Sequence, residues 1–352
     1  MEIIKRIISG ISIPDQAIIT KTQDRLDHLT KPLGSLGRLE ELAKQICGIT
    51  GKENPLLRNK VIFTLASDHG VTAEGVSAYP KEVTAQMVYN FLSGGAGINV
   101  LAKHVGARVV IVDMGVSSDL KPHPQLVIKK INYGTKNMAD ESAMTMEEAI
   151  KAISAGIEIF EDEFRREIDI AGTGEMGIGN TTAASAITAC ITGKPVEEVT
   201  GRGAGIDEKG LKNKIDIINR ALSLNKPDPS SPIDVLSKVG GFEIAGLTGI
   251  ILAAASKKIP VVIDGFISTA AALIAFKIEP KSKYYMIAAH NSVEKGHKYI
   301  LEHIGLKPLL DLDLRLGEGT GAALAMSLSD ASIKILTEMA TFQSANVSEK
   351  KK

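Results

Sequence analysis

Short unbroken apolar runs alternate along the middle of the chain with stretches whose apolar residues recur every three or four positions. The runs are Val61–Ala66, Val109–Val112, Ile168–Ala171, Val261–Ile263 and Tyr284–Ala289, each ending in a cluster of Gly, Asp, Asn, Ser or His. Runs of this length between helical stretches predict buried strands of a parallel sheet covered on both faces. Ligands of such sheets lie beyond the carboxyl ends of the strands, so the terminal clusters are where chemistry is expected.

Both chain ends read as helix. Ile3, Ile4, Ile7 and Ile8 share one face, Ser12–Asp15 makes a turn, and a second helix reaches Leu29. Leu29–Glu40, with Pro32, Gly34 and Gly37, reads as a helix–helix connection before a helix over Leu39–Gly48. After Leu328 an amphipathic helix carries Ile333, Leu336 and Met339 on one face, and Ser348–Lys352 reads as a frayed, solvated ending. The two ends are expected to pack together beside the sheet.

The stretch that organises the rest is Leu314–Leu324. The apolar run Pro308–Leu316 feeds into Gly317, Gly319 and Gly321, and an alanine-rich helix follows, as at a strand-to-helix turn. Glu318 sits inside that glycine cage. It reads either as a catalytic carboxylate or as an acid favouring the positive end of the following helix.

Gly172–Thr182, between the strand ending at Ala171 and the helix Ala183–Cys190, is a second glycine-rich opening. Its first residues match GxGxxG, but the best helix start is Asn180 and the acid expected about 20 residues on has no candidate. The stretch reads as phosphate-binding rather than NAD-binding, with Asn180 or Thr181 able to cap the helix. Gly201–Asp207 repeats the theme before a helix over Glu208–Leu222. Lys214 in that helix falls at the edge of the apolar face, where a solvated lysine is the plain reading. Further helices open at Gly240–Ile244, Asp264–Thr269 and His290–Glu294. Together these openings point to a phosphorylated small molecule. Asp68 and His69 read as hydrogen-bonding supports of the loop Gly75–Pro80, since no second histidine lies at helical spacing and no GxSxG elbow exists.

Composition narrows the picture. Lys plus Arg equals Asp plus Glu, 41 each, so no bulk attraction to nucleic acid or membrane is implied. Trp is absent and aromatics are scarce, which argues against stacking platforms for single strands. Cys47 and Cys190 form no CxxC or Cys/His cluster, so neither a zinc site nor a disulfide is expected, and a reduced, cytoplasmic setting is the default. The longest apolar run, Leu247–Ser256, falls short of the roughly 18 residues that suggest a membrane span.

LTKPLGSLGRLE, DHGV…EGVSAYPKEVTAQMV, GEMGIGNTTAASA, GRGAGID, DGFISTAAAL and RLGEGTGAAL, in this order, resemble the nicotinate-nucleotide–dimethylbenzimidazole phosphoribosyltransferase family over residues 25–328. The resemblance implies a Rossmann-like, mostly parallel α/β catalytic domain over 59–328 and a small helical domain built from 1–58 and 329–352. It also implies a homodimer with the site near its interface, and no cofactor or metal. The substrates it implies are nicotinate mononucleotide and 5,6-dimethylbenzimidazole, giving α-ribazole 5′-phosphate and nicotinate in cobalamin lower-ligand assembly. By resemblance Glu318 is the catalytic base and Glu175 is among the phosphate and ribose contacts; as a carboxylate able to support oxocarbenium-like charge, Glu175 is also read as catalytic. Gly177, Gly179, Asn180, Gly203, Lys214 and Ser292 hold phosphate and ribose, and Ser77, Tyr79 and Gln86 line the benzimidazole pocket. Two rivals predict differently: a dehydrogenase would bind dinucleotide at GTGEMG, and a nucleotide sensor would be stabilised by ligand without releasing nicotinate.

Overall fold

The computed structural model describes residues 1–348, so all but Ser348 of the expected frayed ending lies outside the described residues. The strands are β1 (Lys60–Ser67), β2 (Ala107–Gly115), β3 (Leu126–Ile128), β4 (Ile170–Met176), β5 (Val261–Ile263) and β6 (Met286–Ala288). They form one parallel sheet in the order β3-β2-β1-β4-β5-β6. The order reverses direction between β1 and β4, and in such sheets that switch point opens the ligand crevice.

Helices α1 (Glu2–Ser9), α2 (Gln16–Asp27) and α3 (Arg38–Thr50) precede the sheet. Between the strands lie α4 (Val83–Leu92), α5 (Gly97–Val105), α6 (Met146–Phe164), α7 (Asn180–Thr192), α8 (Val196–Val199) and α9 (Glu208–Asn225). They are followed by α10 (Pro232–Val239), α11 (Phe242–Ser256), α12 (Phe266–Ile278), α13 (Lys295–Ile304) and α14 (Thr320–Glu338).

The strands read as continuous apolar runs because both faces are buried, yet their side chains divide cleanly. Val61, Phe63 and Leu65 join the core beneath α1, α6, α11 and α12, while Ile62, Ala66 and Ile111 join the core beneath α2, α3, α5 and α14. The run read as the longest apolar stretch is in α11, which is buried on every side and so carries no polar face. No helix among the described residues is long and apolar enough to cross a membrane. The two chain ends meet on one face, where Leu29 bridges Thr341, but α1 packs Ile4 and Ile7 into the opposite core.

Five elements differ from the sequence expectation. β4 does not stop at Ala171; it runs on through Gly172-Thr173-Gly174-Glu175-Met176, paired with β1 along its length. Its glycines are there for packing: a Cβ on Gly174 would lie 2.2 Å from the Glu318 carbonyl oxygen. β3 has no counterpart in the apolar pattern, being a three-residue edge strand just past Pro122 and Pro124. β6 starts at Met286 rather than Tyr284, because Pro280–Tyr285 forms a 3-10 turn. Pro308–Leu316 is not a strand: only Leu310 bridges to His290, and the alternate residues Asp311, Asp313 and Arg315 are exposed, so no second face is buried. The amphipathic segment after Leu328 is the second half of α14.

The Gly174 contact makes a direct prediction. Gly174→Ala forces a methyl into the Glu318 backbone and should cost about 1–3 kcal/mol, read as a lower urea midpoint with unchanged slope. An unchanged midpoint would show that this contact is soft.

Candidate active site

Beyond the carboxyl ends of β1, β4 and β5 lies a cavity of about 610 Å³ whose wall includes Glu175, Glu318, His290, Ser292, Glu294 and Tyr79. Glu175 is the sixth residue of β4, placed there by the ladder with β1. Glu318 reaches the cavity from an irregular turn in which Gly317, Glu318 and Gly319 have φ of +83°, +62° and +100°. The left-handed conformation costs a non-glycine residue roughly 1–2 kcal/mol, so the turn must be held from outside. Thr64 Oγ1 donates to the Glu318 carbonyl at 2.9 Å, and the Glu318 N–H donates to the Glu175 carbonyl at 3.2 Å. The flanking glycines have a packing reason. A Cβ on Gly317 would lie 2.2 Å from Glu175 Oε1.

The Glu318 carboxylate does not cap the helix that follows it. Its Oε2 accepts the Ile98 N–H at 3.0 Å, at the start of α5, a helix whose own N-cap is Ala96. The start of α14 is served by Asp264, from the end of β5, which accepts from Gly319 N at 3.2 Å and Ala322 N at 3.0 Å. One acid therefore binds the helix start from across the fold, and the other is free of that task.

Several acids share this dry space, and burial dominates their protonation. Burial pushes the Glu175 carboxyl up to about 8, with Asp264, Glu243 and Glu318 adding to the rise and Asn180 opposing it. Burial likewise raises Asp264 to about 7 against four backbone amides. Glu318 is raised by burial and by Asp264, and restrained by the Ile98 and Gly97 amides. A carboxylate raised in this way is a stronger base than one in water.

A cation stands behind the Thr181 wall of the cavity. Lys214 is buried, correcting the solvated reading: it faces inward and donates to Thr181 Oγ1 at 2.7 Å. Burial lowers its ammonium to about 8, and Glu294 opposes that shift. Asn180 caps nothing; Gly179 is the N-cap of α7, and Asn180 Nδ2 donates to Glu175 Oε2 at 2.5 Å. Gly177, Asn180, Gly203 and Ser292 lie on the cavity wall, whereas Gly179 sits behind it and Lys214 meets it only through Thr181. Of the expected base-pocket residues, Tyr79 is on the wall, while Ser77 accepts from Tyr79 N at 3.2 Å and Gln86 is exposed, both off it.

The side chains of Asp68 and His69 bond elsewhere than the expected loop Gly75–Pro80, and Asp68 Oδ2 accepts from Ser117 N at 2.7 Å, just after β2. His69 Nε2 meets Glu243 at 2.7 Å in the buried layer beneath α11. Burial alone would lower the His69 pKa, and the charge and hydrogen bond of Glu243 together with the Asp68 charge more than offset it. Sequence reasoning passed over His290, Glu294 and Asp264 as site residues. The available signal was an acid directly after an apolar run at Asp264. His290 carried a like signal, standing directly after the apolar run that ends at Ala289, whereas Glu294 stands beyond that run and was marked only by the opening His290–Glu294.

A model of the phosphoribosyltransferase family matches residues 11–347. The nicotinate-nucleotide–dimethylbenzimidazole phosphoribosyltransferase of Desulforudis audaxviator (strain MP104C) is 57% identical over 351 residues, covering 100% of this chain and 99% of that protein. Its counterpart from Chloroflexus aurantiacus (strain ATCC 29366 / DSM 635 / J-10-fl) is 56% identical over 350 residues, covering 99% and 100%. A crystal structure described as the Thermus thermophilus enzyme of that name superposes with a TM-score of 0.91 at 45% identity, covering 96% of this chain and 100% of that one.

The buried acids make stability depend on pH. A carboxyl that binds its proton more tightly when folded, as Glu175 does at about 8 against 4.5, contributes stability at acid pH that is lost as pH rises between those values. The melting temperature of the ligand-free protein should therefore fall across that window, and Glu175→Gln should flatten the fall. An unaltered slope in the variant would contradict the assignment.

Proposed function

The chain belongs to the nicotinate-nucleotide–dimethylbenzimidazole phosphoribosyltransferase family, and from that membership we propose that it moves phosphoribose from nicotinate mononucleotide to 5,6-dimethylbenzimidazole. It is a pentosyltransferase of cobalamin lower-ligand synthesis. The finer reading, with its substrates and residue roles, is supported above all by one observation. A buried carboxylate, Glu318, lines one cavity at the sheet's switch point, and an inward-facing ammonium, Lys214, stands directly behind the Thr181 wall of the same cavity.

The chemistry asks for little. Nicotinate leaves from a cationic pyridinium as a neutral ring nitrogen, so the leaving group needs neither a general acid nor a Lewis acid. The attacking benzimidazole does need a base for its N–H as the other nitrogen bonds to C1′. In our reading Glu318 takes that proton on Oε1 while Ile98 steadies Oε2. Attack opposite the departing ring turns a β-glycoside into an α-riboside. Glu175 stands across the turn from Glu318. The arriving pyridinium favours its ionised form, which then supports oxocarbenium-like charge in the transition state. The phosphate goes to the start of α7 and to Gly203, Ser292 and Lys214, where backbone N–H groups and one ammonium suit a dianion. Tyr79 flanks the flat base.

Chromatography of a mixture of both substrates with the enzyme should show nicotinate and α-ribazole 5′-phosphate in equal amounts; binding without either product would favour the sensor. Glu318→Gln should lower turnover by about 10²- to 10⁴-fold with nicotinate mononucleotide affinity nearly kept. Because burial raises Glu318, the acid limb of wild-type kcat/KM should lie above the ordinary 4.5 and activity should rise with pH through it. Wild-type turnover in the variant would sink the assignment. Lys214→Met should raise KM for nicotinate mononucleotide by about 10- to 100-fold, as for loss of a charged hydrogen bond worth roughly 1.5–3 kcal/mol. A KM unchanged in steady-state kinetics would move the phosphate elsewhere.

A further inference from the structure

The start of α14 is where a glycine-rich turn meets a helix, and such a place ordinarily attracts an anion. In this fold the anion is internal. Asp264 extends from the end of β5, is 1% exposed, and spans the turn: Oδ2 takes the N–H of Gly319, the residue after Glu318, and Oδ1 takes that of Ala322. The segment before the turn supplies no strand, so residues 317–319 cannot be held by a ladder. Thr64 and the Glu175 carbonyl hold Glu318 from the β1 and β4 side. Asp264 holds the other side. The space around it is closed, since a Cβ on Gly321 would lie 2.9 Å from Asp264 Oδ1 and 2.1 Å from His290 Cδ2.

We propose that Asp264 is the positioning residue of the Glu318 turn, tying the left-handed segment to α14 so that the Glu318 carboxylate is presented to the benzimidazole nitrogen. The proposal rests on Glu318 being the base. Asp264 touches neither substrate in this scheme and acts through backbone amides and through its charge. That charge acts on Glu318 and on Glu175 of β4, with His290 after β6 standing 4.0 Å from Asp264, and Glu294, Asp313 and Arg315 lie on the same cavity wall as Glu318.

Two effects follow from removing it. Misplacing a catalytic group by about 1 Å lowers turnover on the order of 100-fold, and this should appear in kcat rather than in KM. Loss of a neighbouring negative charge makes Glu318 easier to ionise, so the acid limb of the pH profile moves to lower pH. A merely structural role would not move that limb.

The test compares wild type, Asp264→Asn, Glu318→Gln and the double variant in steady-state kinetics across pH, with nicotinate mononucleotide binding followed by calorimetry. Asp264→Asn should lower kcat by about 10- to 100-fold with affinity changed by less than about threefold, and should shift the acid limb downward. In the Glu318→Gln background it should have no further effect. Wild-type kcat and an unmoved limb in folded Asp264→Asn, beside an inactive Glu318→Gln, would overturn the proposal and leave the base assignment standing. Full activity in Glu318→Gln would instead remove the base assignment itself, and the proposal with it. Should Asp264→Asn not fold, Ala322→Pro deletes the N–H on Oδ1 at a first-turn position and keeps the carboxylate. Its kcat should fall with KM kept, and an unaltered kcat in that folded variant would equally overturn the role.

Discussion

The structure depends on one close approach, the seating of a left-handed three-residue turn on the central strand β4. At Gly174 the Glu318 backbone comes so near that any side chain would collide with it. From that contact the rest of the site follows. It brings the carboxyl groups of Glu175 and Glu318 to one cavity and fixes where α14 begins. It also leaves the turn dependent on Thr64 and Asp264, whose bonds replace those a strand would have made.

The same contact sets the electrostatics. Three acids from β4, the end of β5 and the turn are drawn into one dry region, where burial raises the proton affinity of all three and the Asp264 charge adds to the rise at the other two. In water such a group would repel and hydrate apart; here the backbone holds it together. Amide donors restrain Asp264 and Glu318, whereas Glu175 has mainly Asn180 to oppose its rise. A site of this kind is unfavourable when empty at neutral and alkaline pH and is suited to a ligand that brings positive charge. The pyridinium of the proposed donor is such a ligand, and Lys214 behind Thr181 matches its phosphate.

Two glycine-rich segments that look alike in the sequence do different jobs. Gly172 and Gly174 lie inside a strand and make room for α14 and its turn, so they bind no anion. Gly317 and Gly319 also open a helix, but a protein carboxylate fills that opening. Only the short segment after Met176, running to the N-cap Gly179, remains as an opening toward the cavity.

Alternating apolar runs and helical periods by themselves determined the parallel α/β architecture, because a strand buried on both faces leaves an unbroken apolar signature. The cage around Glu318 was legible for the same local reason: glycines punctuate chain direction wherever they occur. Tertiary structure alone decided what each glycine faces, since Gly174 and Glu318 are far apart in sequence and meet only through the sheet. It alone decided that Lys214 is buried, because spacing at the edge of an apolar face does not say what packs over that edge. It also moved helix capping from Glu318 to Asp264 and paired His69 with Glu243. Hydrogen bonds to backbone amides carry no residue signature at their donor end, so no pattern along the chain could have announced them.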